Sequence, residues 1–184
     1  MPVLPIYTYG AAVLRKRAHL VKEVNDEIIR LMMDMHDTML AASGIGLAAN
    51  QVGDLNRIIL VDLSGMEEMK DFKPLILINP EIISREGAWT MEEGCLSIPD
   101  VRDEVERAES IRIKYRNTGF REVEMEASEL LGRVILHEID HLNGVLFTDH
   151  LASARRKLHA QRLRQIERGD IEVGYPIVTA GVTV

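Results

Sequence analysis

Disulfides are the first thing this sequence cannot make. It holds one cysteine, Cys95, so no intramolecular bridge can form, which agrees with a reducing cytoplasm. No apolar run approaches the roughly 20 residues that a membrane-spanning helix needs. The first ten residues carry Pro2 and Pro5 and no basic segment ahead of an apolar core, so no secretory signal is expected. Aromatic residues make up 4% of the chain, and none lies within the basic segment 153–168, which argues against a base-stacking platform there. There is no internal repeat. The expectation is a cytoplasmic protein that binds neither membrane nor DNA.

What is present fits one globular domain, with or without an appendage: 184 residues, 46% of them apolar, enough to bury a single core. The formal net charge of −7 hides an asymmetry. From Arg155 to Arg168 there are six Lys or Arg and one Glu, a local balance of +5, so the rest of the chain carries −12. A positive segment on an acidic body implies a separate task for that segment.

Asn25 to Ala42 predicts an amphipathic helix, with Asn25 as N-cap, Asp26 and Glu27 in the first turn, and an apolar stripe of Ile28, Leu31, Met32, Met35 and Met39. Ile58–Leu63 and Leu75–Asn79 read as buried strands, with the charged stretch 64–73 as a surface excursion between them. Ile82 to Trp89 reads as a further strand, with Trp89 in the core. Ile111, Ile113 and Tyr115 alternate with basic residues, Val123, Met125 and Ala127 alternate with acidic ones, and Asn117-Thr118-Gly119 lies between, a hairpin pattern. Ser128 is the expected N-cap of a helix that stops near Asn143-Gly144. The fold class is therefore α+β, with mostly antiparallel strands surrounding a central helix.

That helix carries His137-Glu138-Ile139-Asp140-His141. Positions four apart lie on one helix face, so both imidazoles point the same way and Glu138 projects beside them. A catalytic metal centre takes three protein ligands and keeps one position open. Cys95 is the leading candidate for the third ligand, against the plainer reading of a buried small hydrophobe. A thiolate beside two imidazoles suits iron(II), zinc or nickel. Such a metal lowers the pKa of bound water, and Glu138 is the candidate to move its proton. Gln51, after the glycine turn Gly44-Ile45-Gly46, is a candidate donor to a developing oxyanion. Asp140 is either a partner of a ligand or a surface carboxylate, and His19, His36, His150 and His159 read as surface or structural.

Three segments, Gly44-Ile45-Gly46-Leu47-Ala48-Ala49-Asn50-Gln51, Glu93-Gly94-Cys95-Leu96-Ser97 and His137-Glu138-Ile139-Asp140-His141-Leu142-Asn143-Gly144, stand in order and spacing like the three signature motifs of peptide deformylases. The resemblance extends over about residues 4–150. It implies that Cys95, His137 and His141 bind a divalent metal, commonly iron(II), with Glu138 as general acid/base. It further implies that Gln51 and the Leu96 backbone N–H stabilise the oxyanion. By the same resemblance, backbone near Gly46 and Gly94 holds the substrate peptide, and Arg102 contacts it. The implied reaction is removal of the formyl group from N-formylmethionine on nascent chains, releasing formate. Helical spacing puts Leu130, Arg133 and Val134 on roughly the face of His137. With Ile45 they form the expected methionine slot, the Arg133 stem lining it and its guanidinium reaching solvent.

The expected organisation is a catalytic domain over 1–150, a basic helix over 151–170 and an apolar tail over 171–184. The helix, spanning 153–168, is either a solvated face or a contact to ribosomal RNA phosphates, as in some deformylases. The tail packs on the body, mediates a dimer or is disordered. Two rival readings are a general metallopeptidase or amidase, and a ribosome-associated binding protein with a structural metal. The second would normally need a fourth protein ligand.

Overall fold

The computed structural model describes residues 2–180. Strand β1 (Ile6–Tyr7) leads to helix α1 (Asp26–Ala41), then strands β2 (Gly46–Ala48) and β3 (Ile58–Val61). Strands β4 (Leu75–Glu86), β5 (Trp89–Cys95), β6 (Ile98–Arg107), β7 (Ser110–Arg116) and β8 (Glu122–Ser128) follow, and helix α2 (Glu129–Leu142) carries the two histidines. Helices α3 (Ser153–Leu158) and α4 (Ala160–Arg168) and strand β9 (Ile177–Val178) complete the described chain.

The strands form a five-stranded antiparallel sheet in the order β2-β3-β4-β7-β8, a separate β5–β6 hairpin, and a parallel β1–β9 pair. The fold is thus mixed, with antiparallel sheets. The two runs expected around Ile76 and Ile82 are one long strand, β4, whose register slips between Ile78 and Glu81 and again between Ile82 and Ser84. Bulges let a strand change twist without ending it, so β4 runs on through Pro80.

Local chemistry accounts for most of the ends. Asn25 Oδ1 accepts from the Ile28 N–H at 3.0 Å, the expected cap of α1, and the methionine stripe packs against Leu47, Ile58 and Leu60 in the core. Ser128 stands at the N-cap of α2 but makes no side-chain cap bond, unlike the expectation. At the other end, Gly144 has φ +76°, and a Cβ there would lie 2.6 Å from the Arg15 carbonyl oxygen. Only glycine fits that stop.

Helix α2 is buried on nearly all sides from Gly132 to Leu142. Ile135, Leu136, Ile139 and Leu142 join Ile59, Val61, Leu77 and Ile113 of the sheet in one apolar cluster, each such side chain contributing about 1.5–3 kcal/mol by leaving water. The opposite stripe, Arg133, His137 and His141 at four-residue steps, is equally buried and faces the β5–β6 hairpin. A helix with a polar buried stripe needs partners for it, and the hairpin supplies them.

The basic segment forms two helices, not one. The chain breaks at His159, the C-cap of α3 and N-cap of α4. The break accompanies an ion pair: His159 Nε2 lies 2.7 Å from Asp103 Oδ2, and Arg155 reaches Asp103 Oδ1 at 2.5 Å.

Candidate active site

Cys95, His137 and His141 each offer a donor atom, and the three atoms lie within 4.8 Å of one another. Cys95 ends β5, while the two histidines sit one turn apart on α2. Cys95 Sγ is 3.1 Å from His141 Nε2. The rings of His137 and His141 are 5.0 Å apart and steeply inclined, so their nitrogens converge on one point without stacking. Burial pushes the His141 imidazole below its ordinary value, towards the neutral form that a metal requires.

His137 is oriented from behind. Its Nδ1 lies 3.0 Å from Glu93 Oε2, which leaves Nε2 for the shared point. Arg107 Nε donates to Glu93 Oε1 at 2.5 Å and Arg133 Nη1 donates to the same oxygen at 2.6 Å. Burial alone would raise the Glu93 carboxyl. The hydrogen bonds from His137 and Arg107 overcome that and hold it well below the usual carboxylate range. Arg107 also donates to Asp140 Oδ2 at 2.7 Å, and His150 Nε2 lies 2.7 Å from the same oxygen.

On the cleft side the balance reverses. Glu138 is 4% exposed, its Oε2 has no hydrogen-bond partner among the described residues, and burial pushes its carboxyl up to about 7. Gly46 of β2 faces it: a Cβ there would lie 2.5 Å from Glu138 Oε1 and 2.7 Å from Val134 Cγ1. Gln51 is buried, and its Oε1 accepts from the Ala48 N–H at 2.8 Å. That bond turns Nε2 towards Ser97 Oγ, 3.1 Å away, and Cys95 Sγ, 3.6 Å away. Gly46, Gln51, Cys95, Val134, His137 and Glu138 line one cleft of about 720 Å³.

A sequence model of a known family, described as Polypeptide deformylase, matches residues 3–157. A curated peptide deformylase from Salinibacter ruber is 46% identical over 185 residues, covering 96% of this chain and 95% of that protein. The crystal structure of a peptide deformylase from Legionella pneumophila superposes with a TM-score of 0.84 at 35% identity, over 92% of this chain and 98% of that one. An Acinetobacter baumannii peptide deformylase, solved with Met-Ala-Ser bound, gives 0.77 at 35%, over 82% and 99%. The chain belongs to the peptide deformylase family. It is therefore an enzyme of N-terminal processing, a metallohydrolase of a family that uses a divalent metal and removes formyl groups from nascent peptides.

The residues expected to serve this deformylase are brought to one place. Ile45, Gly46, Gln51, Gly94, Leu96, Arg102, Leu130, Val134 and Glu138 all line the cleft with Cys95 and His137, and His141 lies just behind. Arg102 is mostly exposed, 3.8 Å from Glu92. Arg133 is the correction. It borders the cleft, but its guanidinium does not reach solvent: the residue is 3% exposed, and besides Glu93 it donates to the carbonyls of Val105 and Trp89. Three acceptors inside the fold outweigh hydration. Trp89 is not core but half-buried, its ring 4.9 Å from the Arg133 guanidinium carbon. Asp140 meets Arg107 and His150 and, among the described residues, makes no side-chain hydrogen bond to Cys95, His137 or His141.

The sequence assigns no role to Glu93 or Arg107. Glu93 sits inside the second motif, two residues before Cys95, which was its only signal. Of the three alternatives for the tail, packing on the body describes residues 171–180: Glu172 to Tyr175 line the cleft, and Tyr175 Oη donates to the Leu96 carbonyl at 2.8 Å. Residues 181–184 of that tail lie outside the described residues.

Proposed function

We propose that Cys95, His137 and His141 hold one divalent metal, iron(II) by the family resemblance, with zinc or nickel equally suited to the donor set, and that the site hydrolyses the formyl amide of N-formylmethionyl nascent peptides. The observation that carries this is a three-donor cluster beside a buried, unpartnered carboxylate in an open cleft. The donors fit: a thiolate and two imidazoles converge, and the described residues offer no fourth ligand to close the site. α2 is proposed as the central helix around which the catalytic unit, residues 1–150, is organised. When bound, the metal supplies Lewis-acid polarisation of the formyl oxygen and a water of lowered pKa.

The chain's own residues do the rest. Glu138, poised near neutrality, accepts a proton from the attacking water and delivers it to the departing amide nitrogen. The C–N bond breaks, leaving formate and a free amine. Gln51 Nε2, oriented by the Ala48 N–H, and the Leu96 N–H face the oxygen that gains charge. Ile45, Leu130 and Val134 wall the methionine slot. Gly46 and Gly94 offer backbone to an extended peptide, and Arg102 stands at the mouth. Arg133 acts behind the wall, through Glu93. The Acinetobacter relative's Met-Ala-Ser supports a substrate of this kind.

Within the basic segment, Arg155 and Arg162 are paired with Asp103 and Asp100, while Arg156, Lys157, Arg164 and Arg168 are exposed. We propose these four for contact with ribosomal RNA. No helix among the described residues is long and apolar enough to cross a membrane. The proposed substrate, a chain emerging from the ribosome, supports a cytoplasmic reading.

The test is formate release from formyl-Met-Ala-Ser, beside acetylated and unblocked peptides, by metal-loaded wild type and Glu138→Ala. Wild type should release formate from the formylated peptide alone, and the variant should be slower by about 10²–10⁴ with its metal retained. No release by wild type overturns the reading.

A further inference from the structure

Cys95 and Ile98 are cross-strand partners, so Leu96 and Ser97 form a two-residue loop at the tip of the β5–β6 hairpin. Loops this short hold their shape through the bonds made by their exposed backbone. Both carbonyls of this one are taken by the ends of the chain. Leu96 O accepts from Tyr175 Oη at 2.8 Å, and Ser97 O accepts from the Tyr9 N–H at 2.8 Å. Those two segments are tied to each other: Ile6 N–H donates to Pro176 O and Thr8 N–H to Val178 O, both at 2.9 Å, and β1 pairs with β9. The hairpin tip thus sits in a clasp made from two segments distant in sequence, one following β1 and one preceding β9. Burial pushes the Tyr175 phenol up to about 12, so it remains a donor throughout the neutral range.

We propose that Tyr175 is a positioning residue for deformylation: by holding the Leu96 carbonyl it fixes the loop whose Leu96 N–H faces the reacting oxygen. This rests on the role given above to Leu96. The peptide plane before Leu96 cannot rotate freely when the plane after it is pinned, and a donor misplaced by about 1 Å loses much of its effect. Tyr175 touches no reacting atom in this scheme. Its contribution passes through Leu96, and it is felt in the transition state more than in substrate binding.

Tyr175→Phe keeps the ring and removes only the donor, so the fold is retained, which far-UV circular dichroism verifies. Two measurements follow. In metal-free protein, amide hydrogen exchange at Leu96 and Ser97 should quicken by about 3–10-fold relative to wild type. In metal-loaded protein, kcat on formyl-Met-Ala-Ser should fall about 10-fold with KM and metal content unchanged. Unchanged exchange overturns the tether. Faster exchange with unchanged kcat overturns the positioning role while leaving the deformylase reading intact. Absence of formate release from wild type overturns that reading and the catalytic part of this inference with it.

Discussion

Two carboxylates flank the His137 backbone position, and they live in opposite conditions. Glu93, behind His137, is 6% exposed; Glu138, in front of it, is 4% exposed. Burial is therefore the same, and burial alone raises a carboxyl. Glu93 meets two guanidiniums and an imidazole and stays ionised. Glu138 has an unpartnered oxygen and rises to about 7. Partners, not depth, decide which buried acid is a fixed charge and which can carry a proton.

Breaking the rear side should give the largest effect. Glu93→Gln removes the charge that compensates Arg107 and Arg133, and a buried pair broken on one side costs about 3–5 kcal/mol. Loss of the His137 orientation should weaken metal affinity by about 10–100-fold. Urea denaturation and a chelator-competition titration check the two numbers. A variant as stable as wild type would mean that the arginines find other partners.

The front side is sharpened by crowding rather than by charge. Gly46→Ala puts a methyl group 2.5 Å from Glu138 Oε1, so the carboxylate must move while the ligands stay. Formate release should fall by about 10–100-fold at unchanged metal content, read from kcat and metal analysis on the same sample.

Asp103 extends the comparison away from the metal. It is 3% exposed and held at about 2, first by the Arg155 hydrogen bond and then by His159. A carboxyl depressed in the folded state adds stability that is fully present above its unfolded value, near 3.8, and is lost as pH falls through about 2. Asp103→Asn should lower Tm by about 2–5 °C at neutral pH. The gap to wild type should close between pH 4 and pH 2, as thermal melts in a buffer series will show.

The front of the site was legible and the rear was not, for a physical reason. His137, Glu138 and His141 share one helical turn, and Gly46 and Gln51 lie within one short segment that follows a glycine turn, so short-range periodicity and spacing expose them. Glu93, Arg107 and Arg133 come from β5, β6 and α2, and nothing local in the sequence marks their meeting. Arg133 was expected to send its head group to water, as an arginine on a helix usually does; three acceptors contributed by another part of the chain decided otherwise. The fold divides in the same way. The Asn25 cap, the methionine stripe and the β7–β8 hairpin, in register at Ile113 and Met125, follow from local pattern. The bulges that merge two runs into β4 and the break at His159 depend on long-range pairing.

The clasp around Leu96 and Ser97 also sets a timetable. Tyr175 lies 79 residues beyond the carbonyl it holds, and Thr8 lies 170 residues before Val178. Contacts so far apart in sequence close late. During synthesis at about 5–20 residues per second, Cys95, His137, Glu138 and His141 are all translated seconds before Tyr175, whose hydroxyl bonds the loop beside them. The cleft is therefore among the last parts of this chain to reach its final shape.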